Sequence, residues 1–283
     1  MYQRRPELLK TRQPVGDNIL KIKRLLRSSE LHTVCEEASC PNIGECFSQR
    51  TATFLILGDV CTRGCRFCNV ENGVPMPLDF DEPERVANAV KEMGLKHVVV
   101  TSVTRDDIPD GGASVYAMTI SQIRKYNPDS TIEVLIPDFK GSDDALNTVI
   151  RESPEVINHN IETIPRLYKT VRPGAVYEQS LRLLKTVSGS SYPIIAKAGL
   201  MAGLGEQFQE IVEVMKDIRD SGCDILTIGQ YLSPTRNHLP VQRYYHPDEF
   251  KELKSIGMEL GFKYIESGPL VRSSYHAAMQ MSK

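Results

Sequence analysis

Past its first fifty residues the chain alternates short β-branched runs with longer stretches whose apolar residues recur at helical spacing. That rhythm specifies a parallel sheet covered by helices, because parallel neighbours need a crossover of a dozen or more residues and a helix supplies it. Six strands are expected, at 53–57, 97–103, 132–136, 156–161, 194–198 and 224–228. Each is short and apolar, as a strand buried on both faces must be. Amphipathic helices are expected between them at 84–93, 115–126, 143–152, 178–187 and 206–221. Six such units suit an α/β fold, either a partial barrel or an open sheet.

The ends break the rhythm. Residues 1–50 finish in a group of cysteines, and 233–283 carry QRYYHPDEF and GPLVRSSYH. Both are read as extensions capping a central 51–232 segment, the whole forming one globular unit. Residues 1–27 hold eight Lys or Arg against two acids, and Ile19, Leu20, Ile22, Leu25 and Leu26 fit one face of a docked helix. Thirty-four basic against thirty-six acidic residues leave a formal charge of −2, so no global basic field draws in nucleic acid. No window offers eighteen uninterrupted apolar residues and the start lacks the apolar core of a signal peptide. The chain is therefore expected to be neither membrane-spanning nor secreted, with a cytoplasmic location as the default. Without a secretory signal, seven cysteines read as thiolates for metal or catalysis rather than as bridges.

Cys61, Cys65 and Cys68 follow the first strand in GDVCTRGCRFCNV, which places three thiolates at a strand's carboxyl end, where open α/β sites form. Three cysteines hold three irons of a [4Fe–4S] cubane and leave the fourth open to a small molecule. The competing zinc knuckle wants four closed ligands, commonly in Cys-x2-Cys pairs, which this triad lacks. A second triad, Cys35, Cys40 and Cys46, is spaced Cys-x4-Cys-x5-Cys around the turn formers Pro41 and Gly44. On spacing alone it also fits a structural metal site completed by a histidine such as His32.

The Cys-x3-Cys-x2-Cys loop, with aromatic Phe67 before its last cysteine, resembles the radical S-adenosylmethionine superfamily. Both triads in this order, together with VVVTSVTRDDIPDGGA, NHNIET, KAGLMAGLGE, IGQYLSPT, HLPVQRY and GPLVRSSYHA, resemble the lipoyl synthase family over most of the chain. The resemblance implies a partial (β/α)6, TIM-like barrel whose extensions carry and cap an auxiliary cluster. It implies two [4Fe–4S] clusters and S-adenosylmethionine as cofactors. The Cys61, Cys65 and Cys68 cluster would generate deoxyadenosyl radicals. The auxiliary cluster of Cys35, Cys40 and Cys46 would take Ser273, or failing that Ser274, as its fourth ligand and donate sulfur. The implied reaction inserts sulfur at C6 and C8 of an octanoyl chain on a lysine of a lipoyl carrier domain or glycine-cleavage H protein. Implied partners are a flavodoxin- or ferredoxin-type reductant and an iron–sulfur carrier for cluster repair, with no nucleic acid or membrane.

Phe67, Thr101, Ser102, Asn160 and Glu162 fall at the loop or at strand ends and are candidate cofactor contacts, although strand-end polar residues equally satisfy loop backbone. Asp106, Asp107 and Asp110 have turn and cap duties as an alternative to a divalent cation, and no metal is assigned to them. Gly199, Gly203 and Gly205, followed by Glu206, bracket an expected strand-to-helix loop that lacks phosphate-loop spacing. Arg172, Tyr177, Gln230, Tyr231 and Arg236 are candidates for contact with a substrate polypeptide. Cys223 reads as a small buried hydrophobe. Two rival readings are a two-cluster methylthiotransferase, for which no RNA-binding appendage is evident, and a noncatalytic iron–sulfur electron carrier, whose clusters would normally be fully Cys-ligated.

Overall fold

The computed structural model describes residues 6–9, 11 and 15–280, so parts of both terminal extensions lie outside the described residues. The chain divides into two compact units, one of Thr11–Arg63 with Asn69–Glu155, the other of Met1–Lys10, Gly64–Cys68 and Val156–Lys283.

In the first unit, helix α1 (Asp17–Ser28) buries Ile19, Ile22 and Leu26, which lie at i, i+3 and i+7 on one face. Leu20, expected on that face, turns away by about 100° and is 54% exposed. Strand β1 (His32–Thr33) runs antiparallel to β2 (Thr53–Ile56), with short helices α2 (Val34–Glu37) and α3 (Ile43–Ser48) between them. A small parallel pair, β3 (Val60–Cys61) and β4 (Glu71–Asn72), follows. The rest alternates as α4 (Glu82–Met93), β5 (His97–Ser102), α5 (Ala113–Tyr126), β6 (Thr131–Leu135) and α6 (Asp143–Arg151). β2 pairs with β5 in parallel from Thr53↔Val99 to Ile56↔Ser102, and β5 pairs with β6 from His97↔Thr131 to Thr101↔Leu135. Gly94 ends α4 at φ +66, a left-handed turn that glycine adopts without steric cost. Ser142 starts α6, its hydroxyl accepting from the Ala145 N–H at 3.2 Å, a cap worth about 1 kcal/mol. Val86, Val90, Val98, Val100, Ile120, Ile123, Ile132 and Val134 have no accessible surface and form the core.

In the second unit, β7 (Val156–Asn158), β8 (Ile195–Ala202), β9 (Ile225–Gln230) and β10 (Tyr264–Gly268) pair in parallel in that order. Helices α7 (Tyr168–Val171), α8 (Tyr177–Ser188), α9 (Phe208–Asp220), α10 (Pro247–Glu259) and α11 (Ala277–Gln280) complete it. All six expected strands form, with shifted ends. β7 stops at Asn158 rather than 161, and β8 runs on through Gly199 to Ala202, so Gly199 sits in a strand and not in the loop expected for it. A further strand, β10, extends the rhythm through α10 into the segment read as an extension. Its sequence, Tyr-Ile-Glu-Ser-Gly, carries no apolar run because only Ile265 is fully buried. Helix α9 begins at Phe208, leaving Glu206 to close the preceding turn by accepting from the Gly203 and Leu204 N–H groups at 2.6 and 2.9 Å. Among the described residues no helix is long and apolar enough to cross a membrane.

Candidate functional site

Cys61 closes β3, and the β3–β4 pairing pins the stems of the cysteine loop: the Gly73 N–H and the Asn72 Nδ2 both donate to the Cys61 carbonyl, at 3.0 and 3.2 Å. The Cys61 Sγ accepts from the Arg63 N–H at 3.4 Å and the Thr104 N–H at 3.3 Å, which fixes the sulfur at the head of the loop. Thr62 ties the same stem to the end of β5, donating to the Thr104 carbonyl from its N–H at 3.0 Å and its hydroxyl at 2.9 Å. Arg63, a residue the sequence reading passed over, anchors it further. Its guanidinium forks onto Asp106 (Nε to Oδ2 2.6 Å, Nη2 to Oδ1 3.0 Å) and reaches the Asp138 Oδ1 at 2.6 Å. Burial alone would push its pKa down, but the hydrogen bonds and charges of the two aspartates raise it.

Cys65 and Cys68 belong to the second unit, where the rest of the loop is gripped differently. The Arg66 N–H donates to the Val171 carbonyl (3.0 Å), the Leu239 N–H to the Arg66 carbonyl (3.2 Å), and the His238 Nε2 meets the Cys68 carbonyl at 2.9 Å. Phe67 packs with Leu167, Met201, Leu239 and Val241 against buried Val171, Leu204 and Tyr231. An aromatic residue before the last cysteine thus works as an apolar peg for the loop.

The second triad lies wholly in the first unit. Cys35 sits on α2, whose cap is Thr33 (the Glu36 N–H to its Oγ1, 3.4 Å), and the Cys40 N–H donates to the Cys35 carbonyl at 3.0 Å. Cys46 lies on α3, its carbonyl accepting from the Thr51 N–H at 2.8 Å and hydroxyl at 2.9 Å. Burial pushes the Cys35 thiol up to about 12, and the charge of neighbouring Cys40 adds to the push. Burial, then Cys40, pushes Cys46 up to about 11. These thiols therefore interact as a group. His32 instead faces the Glu37 Oε1 at 3.5 Å.

At the end of β7, the Asn160 Nδ2 donates to the Glu162 Oε1 at 3.0 Å and to the Ser273 Oγ at 2.7 Å. Glu162 is held at φ +69, a conformation costly for a residue with a Cβ. Burial raises its pKa, while the charge of Arg172, the Asn160 hydrogen bond and then the charge of Arg272 pull the other way. In the first unit, Thr101 is buried and its hydroxyl donates to the Leu135 carbonyl at 3.0 Å, beside the Tyr116 hydroxyl that donates to the same carbonyl at 2.7 Å. Ser102 ends β5 opposite Ile56.

Four candidates for polypeptide contact are structural braces instead. Arg172 is buried, its Nη1 donating to the Asn160 and Ile161 carbonyls at 2.8 and 3.1 Å. Tyr177 donates to the Asp217 Oδ2 at 2.7 Å, and Tyr231 to the Leu239 carbonyl at 2.7 Å. Gln230 donates to the Tyr231 and Arg243 carbonyls and accepts from the Tyr245 N–H. Satisfying loop backbone demands the same polar residue types as contact with a polypeptide would. Arg236 is exposed. Asp107 pairs with Arg105, and Asp110 accepts from the Gly112 and Ser114 N–H groups, the turn and cap duties expected of these residues. Cys223 is fully buried, its thiol donating to the Ala196 carbonyl at 3.2 Å.

The radical SAM superfamily model matches residues 55–218, and the model for the N-terminal domain of lipoyl synthase of the radical SAM family matches residues 2–40. The lipoyl synthase of Rubrobacter xylanophilus is 58% identical over 276 residues, 98% of this chain and 86% of that protein. The chain belongs to the lipoyl synthase family. The lipoyl synthase of Caldanaerobacter subterraneus subsp. tengcongensis is 55% identical over 282 residues, covering 100% of this chain and 99% of that one. Solved structures share the fold at low identity. Methylornithine synthase has a TM-score of 0.55 at 12% identity, over 92% of this chain and 84% of that one. HydG, a maturase of the [FeFe]-hydrogenase, has a TM-score of 0.58 at 14% identity, over 88% and 68%. Streptococcus suis SuiB bound to its precursor peptide has a TM-score of 0.57 at 12% identity, and this chain spans about half (52%) of it. These likenesses bear out the α/β, partial-barrel fold class.

Lipoyl synthases are radical enzymes that use S-adenosylmethionine and two [4Fe–4S] clusters, and the donor set fits. None of the seven cysteines is joined in a disulfide. The three of the second triad hold one another's thiolates at a cost that iron's positive charge would remove. Among the described residues no three His, Cys, Asp or Glu side chains converge as ligands of one ion would. Cubane ligands bind different irons and so stand farther apart than the ligands of a single zinc.

Proposed function

We propose that this chain inserts sulfur at C6 and C8 of an octanoyl chain amide-linked to a lysine of a lipoyl carrier domain or a glycine-cleavage H protein. The observation that carries this reading is the presence of both cysteine triads, in order, in a chain that matches lipoyl synthases along its whole length. Cys61, Cys65 and Cys68 hold the cluster that binds S-adenosylmethionine; Cys35, Cys40, Cys46 and Ser273 hold the auxiliary cluster. The bound groups supply one-electron cleavage of the sulfonium and the sulfur that is transferred. Phe67, Thr101, Ser102, Asn160 and Glu162 contact S-adenosylmethionine. Arg172 braces the Asn160–Ile161 backbone so that the Asn160 and Glu162 side chains are presented. Arg63 and the β3–β4 pairing hold the Cys61 stem still, which a radical reaction needs if hydrogen abstraction is to be confined to two carbons. Segments 1–50 and 233–283 extend the 51–232 core, the second of them adding α10 and β10. A flavodoxin- or ferredoxin-type donor supplies electrons, an iron–sulfur carrier rebuilds the auxiliary cluster, and the reaction takes place in the cytoplasm.

The test is iron and acid-labile sulfide per chain after anaerobic reconstitution. About eight irons are expected in the wild type and about four in the Cys35→Ala/Cys40→Ala/Cys46→Ala variant, which should still yield 5′-deoxyadenosine under reduction. About four irons in both proteins would remove the sulfur source and with it this reading. Absence of 5′-deoxyadenosine from the fully loaded wild type would instead favour an electron carrier.

A further inference from the structure

We infer that Asn160 is a positioning residue for Ser273: its carboxamide fixes the serine hydroxyl in the orientation from which it ligates iron, and Gly199 supplies the room. The inference rests on the reading of Ser273 as the fourth ligand of the auxiliary cluster.

The two side chains meet through both ends of the amide. The Asn160 Nδ2 donates to the Ser273 Oγ at 2.7 Å, and the serine hydroxyl lies 3.0 Å from the Oδ1, to which it donates. A serine has three staggered χ1 wells, and only one of them points its oxygen at a given neighbour. A hydroxyl is a poor ligand beside three thiolates and competes with water for iron, so the fraction of time it spends in the right well sets how firmly it holds the metal.

Asn160 is itself immobilised. The second Nδ2 proton goes to the Glu162 Oε1 at 3.0 Å, and the Asn160 carbonyl accepts from the buried Arg172 at 2.8 Å. On the other side stands Gly199, within β8. A Cβ there would run into the Asn160 Oδ1 and lie 3.1 Å from the Ser273 Oγ, so any larger residue displaces the pair. Absence of a side chain at 199, an anchored carboxamide at 160 and the hydroxyl at 273 therefore make one device, assembled from β8, the end of β7 and the turn before α11.

The experiment uses full-length chain carrying Cys61→Ala, Cys65→Ala and Cys68→Ala, so that only the auxiliary cluster forms and the cofactor-contact role of Asn160 drops out. After reconstitution with ⁵⁷Fe, two quantities are read: the Mössbauer signature of an oxygen-ligated iron, and the rate at which one iron per cluster passes to a chelator. Ser273→Ala is the reference, expected to lose the signature and to release that iron about tenfold faster, the scale of one or two lost hydrogen-bond or ligand contacts. Asn160→Ala and Gly199→Ala should reproduce both effects while starting with the same iron content, which a general loss of fold would not allow. Wild-type spectra and release rates in Asn160→Ala and Gly199→Ala, alongside a changed Ser273→Ala, would overturn the positioning role alone. An unchanged Ser273→Ala would remove the ligand assignment, and the inference with it. Should Asn160→Ala fail to fold, Asn160→Asp keeps an acceptor for the hydroxyl but no donor; it should lie between wild type and Ser273→Ala, and a wild-type result there counts against the inference.

Discussion

Replacing Arg63 by alanine should loosen the stem of the cysteine loop by an amount the structure fixes. The guanidinium is 9% exposed and serves two carboxylates, one of which, Asp138, has no exposed side-chain surface. Breaking a buried ion pair from one side costs about 3–5 kcal/mol, because the surviving charge stays buried. Asp106, at 22% exposure, regains some water, and Asp138 keeps the Lys140 N–H at 3.1 Å, which puts the expected loss near the low end, about 3 kcal/mol. That is roughly two decades in a local opening equilibrium. A two-unit chain need not unfold in one step, so a global midpoint is the wrong observable and segment-resolved hydrogen exchange on the metal-free chain is the right one. Peptides covering 60–64, 104–108 and 136–140 should exchange about a hundredfold faster in Arg63→Ala, with α8 and α9 unaffected. Arg63→Lys should recover only a minor part, since an ammonium cannot fork onto Asp106 and reach Asp138 together. Adding Asp138→Asn to Arg63→Ala should restore about 1–2 kcal/mol by removing the buried charge. Exchange within about threefold of wild type in those peptides, or full rescue by lysine, would refute the argument.

Cys223, fully buried and with its thiol pushed well up by desolvation, should resist alkylation in the folded metal-free chain and react only once denaturant is added; labelling at the same rate as Cys61 would contradict its burial. The Glu82 carboxyl accepts from the Leu57 N–H at 2.8 Å, and its pKa is raised by burial, against the opposing Leu57 and Gly58 N–H bonds. Its stabilising contribution is therefore complete below the unfolded value of about 4.3 and lost as pH rises through the folded value, so the melting temperature of Glu82→Gln relative to wild type should increase between pH 4 and 7. A relative decrease over that range would reverse the sign and sink the assignment. On α1, Lys23 and Arg27 already face Glu36, at 3.9 and 3.1 Å, whereas Lys21 and Arg24 are exposed. Reversing only Lys21 and Arg24 should raise the KM for an octanoylated carrier domain several-fold at low salt and leave that for a short octanoyl-lysine peptide unchanged; equal changes for both would discard the idea of electrostatic steering.

The sequence made the repeating unit legible because buried parallel strands need uninterrupted apolar runs, and all six such runs are strands. β10 escaped because a strand with a single fully buried residue carries no such run, and the ends of β7 and β8 escaped because Asn160 and Gly199 answer to each other rather than to local propensity. Spacing marked out the two groups of cysteines, but it was the resemblance, not the spacing, that assigned a cluster to each. Arg63 was not legible, since its partners lie 43 and 75 residues away and nothing in CTRGC announces them. Arg172, after α7, and Gln230, at the end of β9, show the opposite error: both were candidates for polypeptide contact, yet their hydrogen bonds go to backbone carbonyls.

The division of the first triad's loop between the two units sets a timetable for biosynthesis. Cys61 leaves the ribosome together with the unit that fixes its stem, but Phe67 finds Val171, Leu204 and Tyr231, and Cys68 finds His238, only after most of the chain has been made. Domains fold in order of synthesis, so a nascent chain carries an exposed, half-supported set of thiols for most of its elongation. Metal delivered at that stage would meet Phe67 and Cys68 before the residues that grip them had been made. Productive loading therefore belongs after release, and conditions that slow elongation should lower the fraction of chains that acquire iron.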